Sequence, residues 1–151
     1  MIVPVGGGGL ISGIASYFKA TNTTMEVIGV QPAHSAVMAH SVKAGRILEM
    51  VSLPTRSDAT DGGVEQGPIA FDFCRQLVDD YVVVDEAELR QAMLWLYDQH
   101  SIAVEGAGAL AVAALLQQKA RFRGKTVVLL LCGANIDEQQ VIQLRQEAAY
   151  A

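Results

Sequence analysis

Cysteine is scarce: the 151 residues carry two, Cys74 and Cys132. Two thiols cannot build a disulfide framework, and a reducing cytoplasm is the expected compartment. Their spacing and neighbours offer no zinc-type site. Positive charge is also short, with 11 Lys and Arg against 16 Asp and Glu, a net of -5 at pH 7. Without a basic run, nucleic acid and anionic membrane surfaces are poor partners. No apolar run approaches the length that spans a bilayer, and no charged-then-apolar leader opens the chain. Internal repeats, low-complexity tracts and linkers are missing too. What remains is a globular composition, 51% hydrophobic and 18% charged, which excludes intrinsic disorder. The length suits a single domain over residues 1–151 with a core of its own.

Apolar runs of strand length alternate with amphipathic runs of helix length. Met1 to Val5 reads as a strand, Leu10 to Ala20 as a helix and Met25 to Val30 as a strand. A helix is expected over Ala33 to Ala44, stopped by Gly45. Ile47 to Gly67 is irregular, punctuated by Pro54, Gly62, Gly63 and Gly67, and is long enough to suggest a functional loop. Pro68 suits the first turn of a helix reaching Leu77. Tyr81 to Val84 is a strand, and Asp85 with Glu88 three residues on predicts a capping box. An alanine-rich helix is expected from Gly106 to Ala120. The apolar run Thr126 to Leu131 predicts a strand covered on both faces, and Asp137 opens a last helix. This alternation predicts an α/β fold, three layers of α/β/α around a mostly parallel sheet. One feature is odd. The first strand presents a glycine loop, which a central strand would do, yet nothing precedes it to build neighbours; a chain cut from something longer is the expectation.

Gly6-Gly7-Gly8-Gly9 between a strand and a helix is the sharpest motif. Glycines admit backbone angles closed to other residues and let N–H groups approach a ligand without Cβ interference. A helix start adds a dipole that favours an anion, and phosphate is the natural guest. No Gly-Lys-Ser/Thr follows, so this is not a P-loop. Gly6, Gly8 and Gly13 do not fit a dinucleotide fingerprint. The bland alternative is a flexible turn.

Three motifs in order then resemble one family. Val3 to Leu10 is similar to the tetraglycine phosphate loop of fold-type II pyridoxal 5'-phosphate enzymes, specifically the threonine/serine dehydratase and serine racemase group. Glu105-Gly106-Ala107-Gly108-Ala109-Leu110 resembles its second motif, and Cys132-Gly133-Ala134-Asn135 its Ser/Cys-Gly-Gly/Ala-Asn motif. Asp58 to Val64 is similar to an Ala-Asp-Gly-Val stretch. The resemblance implies the large cofactor domain of the tryptophan synthase β-like fold, truncated at its N-terminus. It implies pyridoxal 5'-phosphate as cofactor, with the phosphate on Gly6, Gly7, Gly8, Gly9 and Leu10. It places Cys132 at the pyridine nitrogen, where a neutral thiol leaves a weaker electron sink than an aspartate would. Glu105 is expected near the ring and Gly62 close to the cofactor. Taken alone, Cys132 reads as a small apolar residue ending a strand, and Glu105 as an acid beside a helix start.

The resemblance also implies what this chain lacks. The Schiff-base lysine and the substrate-carboxylate loop of the family are N-terminal motifs, and Lys19, Lys43, Lys119 and Lys125 match neither. No catalytic residue is therefore assigned. The expected identity is the C-terminal portion of a dehydratase that converts a hydroxy amino acid to a 2-oxo acid and ammonia, inactive alone. Threonine, serine and hydroxyaspartate stay open as substrates. Some relatives hold Mg²⁺ or Ca²⁺ with a glutamate and an aspartate where Gln31 and Val37 stand here, so no metal is expected. The expected partners are a phosphorylated small molecule or an amino acid, and a second copy of the chain or a separate N-terminal half. The competing reading is a non-catalytic phosphate-binding or self-associating module.

Overall fold

The computed structural model describes residues 1–21, 24–65 and 69–149. Pro68 and Gly67 lie outside the described residues. The elements are β1 (Ile2–Pro4), α1 (Gly9–Ala20), β2 (Ile28–Pro32), α2 (Val37–Ala44), α3 (Ile69–Leu77), β3 (Asp80–Val84), α4 (Glu86–His100), α5 (Gly106–Gln117), α6 (Lys119–Phe122) and α7 (Glu138–Ala149). Two single-turn 3-10 segments, Ala33–Ser35 and Asp58–Thr60, interrupt the loops.

The strands are parallel in the order β1-β2-β3, with Ile2 opposite Ile28 and Ile28 opposite Asp80. Side chains alternate between two cores, as a pleated strand requires. Ile2, Ile28, Val30, Val82 and Val84 pack with α4 and α5 on one face. Val3, Val5 and Val27 pack with Ile11, Met38, Phe71 and Cys74 from α1, α2 and α3 on the other. This is the expected three-layer arrangement. The alanines of α5 have a use here: residues Gly106 to Ala114 are all buried between the sheet and α4, where larger side chains would not fit. The capping box at Asp85 forms as the spacing predicts, Glu88 N donating to Asp85 (2.7 Å) and Asp85 N to Glu88 (2.9 Å). Asp137 caps α7 in the same reciprocal way with Gln140.

Three expectations need correction. First, β1 does have neighbours on both sides, and they come later in the chain. β2 lies on one side and residues 128–130 on the other, in parallel, with Ile2 opposite Leu129. Second, the expected strand Thr126 to Leu131 makes only that bridge among the described residues. Ile2 N donates to Val128 O and Leu130 N to Ile2 O. The next donor on this side would be residue 4, a proline with no N–H. The segment stands at the sheet margin, and Val128 and Leu131 are exposed rather than covered. Third, the helix expected over Ala33 to Ala44 is split at the non-helical Ala36. Ser35 there accepts from Gly62 N and pairs with the Ser52 hydroxyl, so it tethers the long loop instead of extending a helix. The alanine-rich helix likewise stops at Gln117, and α6 is a separate turn.

Candidate functional site

β1, β2 and β3 build outward in one direction, and the chain then returns to the opposite side of β1 with residues 128–130. The order reverses at β1. A crevice beyond the carboxyl ends of such strands is where open α/β sheets take ligands. A cleft of about 270 Å³ opens there, lined by Pro4 to Ile11, Ala59, Thr60, Glu105, Ala107, Cys132 and Gly133. A larger hollow of about 520 Å³ lies at the amino ends of the strands, around Met1, Ile28 and Val128. That hollow is walled mostly by apolar side chains, whereas the cleft contains two helix starts.

The glycine wall is built for close approach. Gly8 caps α1 in the left-handed region at φ 89°, and no side chain caps the helix. The first helical bond runs from Ser12 N to Gly8 O (3.0 Å), so the amides of Gly9, Leu10 and Ile11 precede it. A Cβ on Gly8 would come to 2.7 Å from Met38 Cε and 2.9 Å from Cys74 Sγ, whereas one on Gly7 or Gly9 would meet nothing within 4 Å. The loop is therefore packed from behind and open in front. Cys74 lies in that backing, its Sγ 3.7 Å from Gly8 O, and burial pushes its thiol pKa up, so it stays protonated and donates weakly.

The opposite wall starts at α5, whose cap is Glu105, with no side-chain hydrogen bond. The glycines of this motif answer backbone contacts. A Cβ on Gly106 would overlap the carbonyl of Arg56, and one on Gly108 would sit 2.6 Å from the Gly133 carbonyl. A Cβ on Gly133 would collide with the Glu105 carboxylate. Glu105, Gly108 and Gly133 thus form one interlocked unit, which explains in physical terms why the two motifs occur together.

Of the residues expected at the site, Gly6, Gly7, Gly8, Gly9, Leu10, Glu105 and Cys132 all line the cleft. Cys132 is exposed, not the buried strand-end residue that its apolar approach suggests. Gly62 is not among the lining residues. It is exposed with φ at 129°, and its N–H donates to Ser35 Oγ (3.2 Å). The long loop instead presents Ala59 and Thr60, with Thr60 backing Gly6: a Gly6 Cβ would be 3.3 Å from Thr60 Cα. No local signal announces those two. They arrive because Thr55 and the Arg56 amide are held by the Glu86 carboxylate of α4, at 2.6 and 2.9 Å. Next to them, hydrogen bonds from Ser35 and Ser52 hold the Asp61 carboxyl below its usual range.

Charge inside the cleft is one-sided. Glu105 is the ionisable carboxylate of its lining, and none of the four lysines lines it. Lys19 is spent on Asp79 (2.8 Å) near the far end of α1. An anion here would be held by backbone N–H groups and two helix dipoles, without a cationic side chain from this chain. Gln31, buried at the end of β2, spends both ends of its amide: Nε2 donates to Val5 O and Oε1 accepts from Ala39 N.

A family model described as pyridoxal-phosphate dependent enzyme matches residues 1–133. The chain belongs to that family. Over 150 residues, 98% of the chain, it is 37% identical to the biosynthetic L-threonine dehydratase IlvA of Staphylococcus aureus, covering 35% of that protein. It is 41% identical over 146 residues to the catabolic L-threonine dehydratase TdcB of Escherichia coli, covering 95% of this chain and 44% of that one. Among solved structures, maize serine racemase superposes with a TM-score of 0.84 at 32% identity, over 97% of this chain and 46% of that one. The chain thus spans less than half the length of these relatives. No helix among the described residues is long and apolar enough to cross a membrane.

The cleft fits the phosphate end of the family's cofactor. It offers uncapped amides at a helix start, a glycine face free of side chains, and solid packing behind it.

Proposed function

We propose that this chain forms the phosphate-binding side of a pyridoxal-phosphate-dependent hydroxy-amino-acid dehydratase site. The observation that carries the reading is the uncapped start of α1 at Gly8, set in a cleft where the strand order reverses. The amides of the Gly6 to Leu10 loop would hold the phosphate. Cys132, exposed on the opposite wall, would meet the ring nitrogen as a neutral thiol, and Glu105 would flank the ring. When bound, such a cofactor supplies an electron sink for the carbon it activates. The chain's own residues fix its position and exclude side chains from its phosphate. The proton-moving amine must come from a lysine outside this chain, since none lines the cleft. Threonine is the substrate we favour over serine, because both curated relatives above are threonine dehydratases. The two free thiols suit a reducing cytoplasm.

Titration with pyridoxal phosphate and with inorganic phosphate, followed by the amide resonances of Gly6 to Gly9, tests the reading. Reversible binding with shifts confined to this loop is expected, and borohydride should fix no cofactor within the cleft, since no lysine lines it. Shifts spread over the surface, or none, would remove it. A second reading, binding without catalysis, draws on the same absence of a lysine from the lining. It predicts that adding a lysine-bearing N-terminal polypeptide of the family restores no dehydratase activity. We also place the chain in a homo-oligomer, on the exposed Val128 and Leu131 of the marginal segment. Gel filtration at a monomer's volume would count against that.

A further inference from the structure

Alternate residues of β2 turn their backbone groups toward β1. Ile28 N donates to Met1 O, and Val30 O accepts from Val5 N, each at 2.9 Å. The next residue in that series is 32, whose N–H should reach Val5 O to continue a parallel ladder. Residue 32 is proline and has no N–H. The missing bond falls on the last buried residue before the glycine loop, where an unpaired carbonyl is costly.

Gln31 replaces it. Its Nε2 donates to Val5 O at 3.1 Å, and its Oε1 accepts from Ala39 N of α2 at 2.8 Å. The side chain is 1% exposed and uses both ends of its amide. It therefore ties the root of the loop to α2, the helix whose Met38 packs behind Gly8. We infer that Gln31 is a positioning residue: its amide stands in for the ladder bond that Pro32 removes, and so sets the direction in which Gly6 to Gly9 present their amides. The affinity arm of this inference rests on reading the cleft as a phosphate site; the geometric arm does not.

The test uses the chain itself and three variants, Gln31→Met, Pro32→Ala and the double variant. Gln31→Met removes both hydrogen bonds at similar side-chain length. It is expected to displace the Gly6 to Gly9 amide resonances in the ligand-free chain. It should also weaken inorganic phosphate about tenfold, because the loop geometry that binds would be populated only about a tenth of the time. Pro32→Ala supplies the missing backbone donor. In the double variant it should return the four glycine resonances, and phosphate affinity to within about twofold of the parent. Ala39 N stays unpaired in the double variant, so thermal stability should not recover with them. Glycine resonances unmoved by Gln31→Met, or displaced equally in the double variant, overturn the inference. If Gln31→Met alone does not fold, a folded double variant with parent-like glycine resonances supports the inference, and a double variant that also fails overturns it. If phosphate moves no amide of the parent chain, the phosphate reading falls, and the strut is judged on the ligand-free resonances.

Discussion

Proline cuts the hydrogen-bond ladder on both sides of β1, and the two sides respond differently. Toward β2, Pro32 removes a donor, and Gln31 fills the gap from its side chain. Toward residues 128–130, Pro4 is the missing donor, and no side chain among the described residues replaces it. Consequently the β2 side runs straight into a loop backed by core residues, while the other side opens at Leu131 and leaves Cys132 exposed. The wall that would grip a phosphate is preorganised by the sheet. The wall that would meet a ring is held by helix contacts, chiefly those of Glu105 and Gly108 with Gly133. A cleft built this way would fix an anion firmly and leave the other wall adjustable.

The largest effect should come from breaking the helix-held wall at its base. Gly106→Ala drives a methyl into the Arg56 carbonyl, and backbone cannot swing away as a side-chain tip can. We expect a loss of about 3 kcal/mol, measured by denaturant unfolding. A change below about 0.5 kcal/mol would mean that α5 and the 56–57 loop are not seated as described.

Gly8→Ala tests the sheet-held wall. The left-handed backbone and the crowding by Met38 and Cys74 should together cost about 2 kcal/mol. Met38 can move aside, which is why the expected loss is smaller than at Gly106. Gly7→Ala, with open space around it, is the matched control and should stay near zero. Similar losses for Gly7→Ala and Gly8→Ala would show that the loop is not packed from behind.

How much of this contrast was legible in the sequence depends on range. The Asp85 to Glu88 box and the helix that starts from the glycine loop are local patterns, and each folds as its spacing predicts. The paired motifs at Glu105 and Cys132 were visible, but their interlock through Gly133 was not, because it depends on a contact between separate segments of one wall. Ala59 and Thr60 carry no chemical signature, and the loop that brings them to Gly6 is anchored by Glu86 of a distant helix. The run 126–131 has strand composition, yet its pairing is limited by Pro4, which lies more than a hundred residues away in the chain. Gln31 looks like an ordinary polar residue until its proline neighbour is set against the β1 register.

The β2 side has a second support at its amino end. Asp79 accepts from Val27 N (2.7 Å) and from Lys19 Nζ (2.8 Å). Burial alone would raise its pKa. The Lys19 and Val27 hydrogen bonds, with the charges of Lys19 and the N-terminus, outweigh that and hold it below the usual aspartate value. A folded-state pKa below the unfolded one gives stability that is present above about pH 4 and lost as pH falls further. Asp79→Asn should cost about 1 kcal/mol at pH 7, below the usual range for a charged hydrogen bond because the carboxylate is partly exposed. It should also flatten the acid limb of a stability profile. An unchanged slope below pH 4 would assign that limb to other carboxylates.

The smallest expected effect is the most pointed test of the comparison. Pro4→Ala returns an N–H on the side where the described residues offer no replacement, facing the Leu130 carbonyl if the parallel register continues past Ile2 and Leu129. The new bond is worth about 1 kcal/mol, and the lost proline rigidity of the unfolded chain offsets about as much. Net stability should therefore stay within about 0.5 kcal/mol. The geometry should change all the same. The residue 4 amide should exchange slowly, the strand should lengthen toward Cys132, and labelling of that thiol should slow while Cys74 stays inert in its buried place. Fast exchange at residue 4 with unaltered Cys132 labelling would show that something other than proline ends the ladder on this side, and the symmetry drawn between Pro4 and Pro32 would fail.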